Sequence, residues 1–299
     1  MLLYKYFPPN RESFLKQRLI RFTQPILFND PFDCLPVITG YTEKHAREQA
    51  NKVANDMVLE LALGDFSNLP RDATLESINA SSTMLAKEYA ADPAGVGIRY
   101  AASVYNRMSR QIGVLCLCEN PCNILMWSHY ARDHTGFVVG FESEDAFFKH
   151  KEGEPGEIGE LRRVDYVKQR PALHVDAIKD PDAIISDFLF SKSRDWTYEG
   201  ELRIIRFLKH AYREHPKDVF LFEVSATAIR QIIFGFRSGD SLKKNLLDAA
   251  KIRQLAHVKF TKAVVSRSEF EMDILPLNAP EPFNLALEFL KERDAGRLL

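Results

Sequence analysis

The chain has 299 residues, 45% of them hydrophobic and 27% charged, which is typical of a globular protein whose core needs neither disulfides nor metals. Its 40 Lys and Arg residues nearly balance its 41 Asp and Glu residues, and the net charge of −1 excludes a chain-wide basic surface for nucleic acid or an anionic membrane. Four cysteines are too few for a disulfide scaffold, and no apolar run reaches the length of a membrane helix. The opening MLLYKYFPPN does not resemble a secretory signal, so we expect a cytoplasmic protein without a membrane partner.

The N-terminal segment is predicted to contain two strands, a short helix and a turn. Apolar and aromatic residues at 2–7 (LLYKYF) and 19–23 (LIRFT) favour strands, and residues 11–18 favour a helix. The motif NDPFD at 29–33 is typical of a turn, because Asn29 and Asp30 can bond nearby backbone groups and Pro31 fixes its own φ angle.

Residues 43–111 have a helical pattern. Apolar residues recur every three or four positions in three runs, which begin at Ala46, Leu75 and Ile98, and this spacing predicts three amphipathic helices. The segments GDFSNLP and ADPAGVG between the runs contain the Gly and Pro residues expected in linkers. We expect a helical insertion that packs on a sheet, not a separate domain.

Strands dominate the rest of the chain. Apolar or alternating patterns predict strands at 112–118, 137–142, 161–167, 201–207, 219–224, 231–234, 258–265 and 270–277. Helices are predicted at 182–192, at 240–256 with Asp240 as the N-cap, and in the tail. Because adjacent strands have no helices between them, the predicted fold is α+β: a single domain over residues 1–277 with a central mixed or antiparallel sheet, and a helical tail at 278–299.

A first polar and aromatic cluster lies directly before the predicted strand 137–142. It contains Trp127, Ser128, His129 and Tyr130, and His134 follows in the turn. Core packing is one explanation, but buried Trp and His side chains need polar partners. We therefore also consider this cluster a candidate binding surface held by a rigid strand.

A second cluster lies at residues 192–203 (KSRDWTYEGELR). If a strand begins at Glu199, then Glu199, Glu201 and Arg203 point to one face, beside Lys192, Trp196 and Tyr198. A solvated sheet edge with a weak Glu–Arg pair would explain this pattern. The functional interpretation is a carboxylate beside aromatic walls, which can bond a ribose hydroxyl and stabilise an oxocarbenium-like centre.

Other chemistries have weaker sequence support. Cys116, Cys118 and Cys122 lie near two histidines but lack the two-residue cysteine spacing of zinc sites, so we expect buried free cysteines and no metal. No cysteine carries a local signature of nucleophilic catalysis. No phosphate-binding glycine loop is present, and FGFRSGDS is only a weak anion-site candidate.

A series of motifs resembles the bacterial domain of unknown function 2971 family. The motifs are LLYKYF, FNDPFD, LMWSHYARDHTGFVVGFE, Val164 with Tyr166, KSRDWTYEGELRII and IIFG, in this order. The resemblance extends over residues 3–277. It implies no particular chemistry, because the function of that family is not established.

More distantly, the order of elements resembles that of ADP-ribosyltransferases, and Glu199-Gly200-Glu201 is similar to the E-x-E pattern of arginine-directed members. The resemblance implies that NAD is the substrate, that Glu201 is the catalytic carboxylate and that Glu199 orients the acceptor, a protein or a nucleic acid. It further implies two sets of binding residues: Tyr4, Tyr6, Trp127, His129, Tyr130 and Arg203 for NAD, and Asn29, Asp30, Lys192 and Trp196 for substrate. The first strand, with Tyr4-Lys5-Tyr6, departs from the His or Arg found there in that superfamily. A toxin or phage-defence effector is the expected biological role.

Two alternatives stay open. The same aromatic cluster could serve a non-catalytic module that recognises a nucleotide, a nucleic-acid end or a peptide. A hydrolase or nuclease could instead use Asp30, Asp33, His129 and Glu201 with a divalent ion.

Overall fold

The computed structural model describes residues 1–63, 74–149, 159–176, 188–215 and 218–279. The strands are β1 (Leu2–Phe7), β2 (Leu19–Phe22), β3 (Val37–Thr39), β4 (Ile112–Cys118), β5 (Phe137–Glu142), β6 (Leu161–Arg163), β7 (Asp165–Val167), β8 (Ala172–His174), β9 (Ser191–Ser193), β10 (Glu201–Phe207), β11 (Arg213–His215), β12 (Val219–Glu223), β13 (Ile229–Phe234), β14 (Lys259–Val265) and β15 (Met272–Pro276). The α-helices are α1 (Ser13–Gln17), α2 (Glu43–Leu63), α3 (Leu75–Ala91), α4 (Pro93–Gln111), α5 (Ile124–Tyr130) and α6 (Asp240–Ala249). The 3₁₀ turns are Pro9–Arg11, Pro25–Leu27, Ala146–Phe148, Arg194–Glu199, Leu208–His210, Ala226–Ala228 and Arg253–Leu255.

A mixed sheet of eight strands organises the fold, in the order β15-β14-β13-β5-β1-β4-β10-β6. The chain's first strand, β1, lies inside this sheet, antiparallel to both β4 and β5. Only the β13–β14 pair among these neighbours is parallel. Smaller sheets of order β11-β12-β2, β3-β8 and β7-β9 flank it.

The two faces of the sheet pack against different elements. On one face, Leu3 and Phe7 of β1 join α1 and α6 in the largest hydrophobic core. On the other face, Tyr6 packs with Trp127 of α5. This division follows from the alternation of side chains along a strand, and it places Tyr4 and Tyr6 of β1 on the face that packs with α5.

The predicted α+β class is confirmed, and β1, β4, β5 and β10 begin and end where the sequence predicted. Residues 43–111 contain helices α2, α3 and α4, and α4 packs on β3 and β4. The predicted domain boundary at residue 277 stays a prediction. Among the described residues, none of the helices combines the length and the apolar character that crossing a membrane requires.

Three local predictions were wrong. Residues 161–167 form two strands, because the chain breaks its pairing with β10 at Val164 and then pairs with β9. Residues 188–192 form a turn and the start of β9 instead of a helix; residues 182–187 and the tail after residue 279 lie outside the described residues. Helix α6 ends at Ala249, and its N-cap is Gly239, so Asp240 is the first helical residue rather than the cap.

Candidate functional site

A cavity of about 510 Å³ lies beside β1, β4 and the start of β10. Strand β1 pairs with β5 along its whole length, from Leu2 to Phe7. Its pairing with β4 is limited to Tyr4 opposite Cys118. Beyond that point β4 forms a bridge to Thr23 instead. Both Thr23 and Cys116 line the cavity, so the cavity occupies the region where the sheet opens between β1 and β4.

The two sequence clusters meet at this cavity. The Tyr130 hydroxyl at the end of α5 donates to Glu199 Oε1 over 2.6 Å, and the Asn123 side chain donates to the Tyr198 carbonyl over 2.9 Å. The rings of His129 and Tyr198 have centroids 6.3 Å apart. Contacts between α5 and the segment that leads into β10 therefore form one wall of the cavity.

Glu199 and Glu201 both reach the ammonium group of Lys192, at 2.5 and 3.2 Å. Glu199 ends a 3₁₀ turn, contrary to the predicted strand, and Glu201 begins β10. Gly200 between them has φ of 51°, a left-handed conformation that suits glycine. The sequence predicted that the two carboxylates lie on one face of a strand. In the structure they lie close together because the turn at Gly200 directs both to Lys192.

Arg203 lies behind these carboxylates, with none of its surface exposed. Its guanidinium donates to both oxygens of Asp33, at 2.9 and 2.7 Å, and to both oxygens of Glu201, at 2.7 and 3.1 Å. Lys192 also lies 3.6 Å from Asp33. The result is a buried network of three carboxylates and two cations.

The network gives its two glutamates different protonation behaviour. Burial raises the pKa of Glu201, but the charges of Arg203 and Lys192 outweigh it and hold that pKa well below its usual range. For Glu199, burial dominates over the attraction of Lys192, so its pKa is raised. Glu201 is therefore fixed as an ion pair, whereas Glu199 is the carboxylate suited to exchange a proton.

The cavity is also lined by two cations outside this network. Lys5 of β1 and Arg21 of β2 both line it. The Lys5 ammonium donates to the Cys116 carbonyl over 3.1 Å, and burial lowers its pKa. Burial also lowers the pKa of Arg21, whose Nε is buried without a hydrogen-bond partner.

Eight of the predicted site residues line the cavity: Tyr4, Tyr6, Asn29, His129, Tyr130, Lys192, Glu199 and Glu201. Tyr4 is half-buried, while His129 and Asn29 are exposed near the opening. The Tyr6 hydroxyl is already bonded to the Asn120 carbonyl at 3.0 Å.

Four predicted site residues do not line the cavity: Trp127, Arg203, Asp30 and Trp196. Trp127 is fully buried and donates to the Pro121 carbonyl over 2.8 Å, so it supports Tyr6 instead of forming a wall. The Asp30 carboxylate accepts the Phe32 backbone N–H and thereby holds its turn. Trp196 packs on the Lys192 ammonium at 4.9 Å from its ring.

The sequence prediction omitted Lys5 and Arg21. Each is a lone cation within an apolar strand, LLYKYF and LIRFT respectively, and a lysine or arginine in such a strand is seldom buried without a partner. The unusual position of these two cations within apolar strands could have identified them as candidate site residues.

Among the residues that the structure describes, no three His, Cys, Asp or Glu side chains are arranged to hold a metal ion. The four cysteines are free, and Cys34 and Cys118 are buried. Burial raises the pKa of the Cys118 thiol to about 12, which disfavours a reactive thiolate there.

One comparison with known proteins gave a match. Residues 126–204 match the model of a family described as a protein of unknown function, DUF2971. This segment begins within α5 and ends in β10, so it contains both sequence clusters. The match supports the resemblance to that family over this part of the chain. No curated protein and no solved structure matched the sequence.

Proposed function

We propose that the cavity binds a nucleotide, with NAD as the first candidate, and that the protein transfers or hydrolyses its ribosyl group. The observation that carries this proposal is the position of Glu199, which lines a cavity of about 510 Å³. Its buried carboxylate has a raised pKa and accepts a hydrogen bond from the Tyr130 hydroxyl. Cavities of this size commonly hold small-molecule ligands. A carboxylate so placed is suited to general acid–base work or to bonding a ribose hydroxyl.

In the proposed reaction the C–N glycosidic bond of NAD breaks and nicotinamide leaves with the bonding electron pair. The acceptor oxygen or nitrogen then bonds to the ribosyl carbon, and its proton passes to the Glu199 carboxylate. Developing positive charge on the ribose is stabilised by that carboxylate. Tyr4 and His129, which line the cavity, would pack against the base or the ribose.

The role of Glu201 in this proposal differs from the one implied by the ADP-ribosyltransferase resemblance. Both of its oxygens accept bonds from Arg203, and one also accepts from Lys192. Two cations therefore share the charge of Glu201, whereas Glu199 is paired with the single cation Lys192 and a neutral hydroxyl. We propose that Glu201 positions Lys192 beside Glu199. The expected role as a toxin or phage-defence effector depends on this activity and stays a prediction.

The test is nicotinamide release from NAD, measured by chromatography with wild-type protein and with Glu199→Gln. We expect the wild type to release nicotinamide. In the variant the rate should fall by a factor of about 100 or more, the usual loss for an acid–base group. Glu76→Gln, an exposed position on α3, is the matched control and should keep the wild-type rate. Full activity in a folded Glu199→Gln variant, or no release and no NAD binding at millimolar concentration, would contradict the proposal.

A second candidate is a non-catalytic nucleotide-binding module. The pairing of Glu201 with Arg203 and Lys192 favours it, because these ion pairs engage the carboxylate that the resemblance implied to be catalytic. Tight NAD binding without turnover in the wild type would support this candidate. The metal-dependent hydrolase alternative would be recognised by activity that a chelator abolishes; in the structure, Asp30 is engaged by a backbone N–H and Asp33 by Arg203.

A further inference from the structure

Lys5 and Arg21 line the cavity and differ from the two cations of the buried network in having no carboxylate partner. Lys192 and Arg203 are ion-paired with Asp33 and Glu201. In the part of the chain that the structure describes, neither Lys5 nor Arg21 forms an ion pair within 4.0 Å, and the one hydrogen bond of the Lys5 ammonium goes to the neutral Cys116 carbonyl. Two cations that line the cavity therefore have no ion-pair partner among the described residues.

This arrangement is unfavourable when the cavity contains no anion. Burial lowers the pKa values of Lys5 and Arg21. The charge of Glu201 raises the pKa of Lys5, but burial outweighs it. Burying an unpaired charge carries a large desolvation cost. An anion between Lys5 and Arg21 would offset that cost and occupy the buried Nε donor of Arg21, which has no partner.

We propose that Lys5 and Arg21 form an anion subsite that binds the phosphoryl groups of the ligand. Arginine offers a planar fork of N–H donors to phosphate oxygens, and lysine offers a compact point charge. Phosphoryl groups fit this pair better than a carboxylate does, because a diphosphate has enough acceptor oxygens for both cations at once. This inference rests on the proposed nucleotide function and names the part of the ligand that the cavity selects.

The subsite also fixes the direction in which the ligand lies. Glu199, Glu201 and Asp33 line the cavity as well, and carboxylates repel an anionic group. The phosphoryl groups therefore lie at Lys5 and Arg21, and the hydroxyl-bearing sugar lies against Glu199 and Tyr130. The expected substrate class is a phosphorylated nucleotide, with its dephosphorylated nucleoside bound much more weakly.

The test is calorimetric titration of the full chain with inorganic pyrophosphate, and separately with NAD. We expect pyrophosphate to bind the wild type, and Arg21→Gln and Lys5→Met each to weaken binding about tenfold or more, since each removes a charged hydrogen-bond donor. Higher salt should weaken binding to the wild type. Arg230→Gln, a half-exposed cation on β13, is the matched control and should bind like the wild type.

The outcomes separate this inference from the proposed reaction. Pyrophosphate binding that depends on Arg21, without NAD turnover, would support the subsite and contradict the transferase activity. NAD turnover that is unchanged in Arg21→Gln would contradict the subsite and leave the activity intact. No pyrophosphate binding at millimolar concentration would overturn the inference, as would acetate binding as tight as that of pyrophosphate. Because Arg21 is only partly buried, its variant keeps the test valid if Lys5→Met does not fold.

Discussion

Replacement of Arg203 by methionine tests whether the buried network holds the site together. The guanidinium has five N–H donors, and the structure gives bonds from its nitrogens to Asp33, to Glu201 and to the Leu189 carbonyl at 2.7 Å. Arg203→Met removes all of them and leaves Lys192 as the remaining cation for three carboxylates.

The expected cost is large because the remaining charges stay buried. Asp33 and Glu201 are 3% and 4% exposed, and removal of one partner from a buried ion pair typically costs about 3–5 kcal/mol. We expect a melting temperature lower by roughly 10 °C. The penalty should shrink at acidic pH: Arg203 holds the pKa of Glu201 down, so without it this carboxylate takes up a proton more readily and then carries no uncompensated charge.

Urea denaturation and thermal melting of Arg203→Met at pH 8 and pH 5 measure both effects. The control is Arg230→Met, since Arg230 has 46% side-chain exposure and lies 3.7 Å from Glu142; such a surface pair contributes about 0–1 kcal/mol. If Arg203→Met loses no more stability than Arg230→Met, the network is not a main source of stability at the site. An equal loss at both pH values would refute the electrostatic explanation.

Two further predictions concern the loop between α5 and β5. A Cβ on Gly136 would lie 2.0 Å from the Phe7 carbonyl oxygen of β1, so Gly136→Ala should lose about 2 kcal/mol or more in a melting experiment. Gly239→Ala, with φ of −72° and no atom within 4 Å of the added carbon, should stay within about 0.5 kcal/mol, and an equal loss in both would contradict the clash. Burial and then the charge of Arg237 lower the pKa of His134 to about 4, below the value of about 6.5 in an unfolded chain. The unfolded state therefore binds the proton first, and the free energy of unfolding should fall between pH 6.5 and 4 more steeply in the wild type than in His134→Gln; parallel profiles would show that His134 does not contribute.

The sequence predicted the main strands well because their patterns are local. LLYKYF, IGVLCLC, FVVGFE and ELRIIRF are apolar runs bounded by turn residues, and each is a strand of the large sheet. The predicted helix at 182–192 had no such support, since residues 191–193 take their conformation from pairing with β7. Pairing between distant strands is not encoded in the periodicity of one segment.

The site was harder to predict because it depends on long-range contacts. Alternation placed Glu201 and Arg203 on one face, but not the burial of Arg203 against Asp33, which is 170 residues away. Alternation also cannot show that β1 and β4 separate beyond Tyr4, which leaves Lys5 at a cavity instead of in a packed core. Trp127 was assigned to the ligand wall because its indole N–H needs a partner; the Pro121 carbonyl, six residues away, is that partner.

A crystal structure of the protein grown with NAD tests the central claim most directly. The account predicts NAD in the cavity between β1 and β4, with its phosphate oxygens within hydrogen-bond distance of Lys5 Nζ and the Arg21 guanidinium and a ribose against Glu199. An empty cavity at millimolar NAD, or NAD bound elsewhere on the protein, would contradict it.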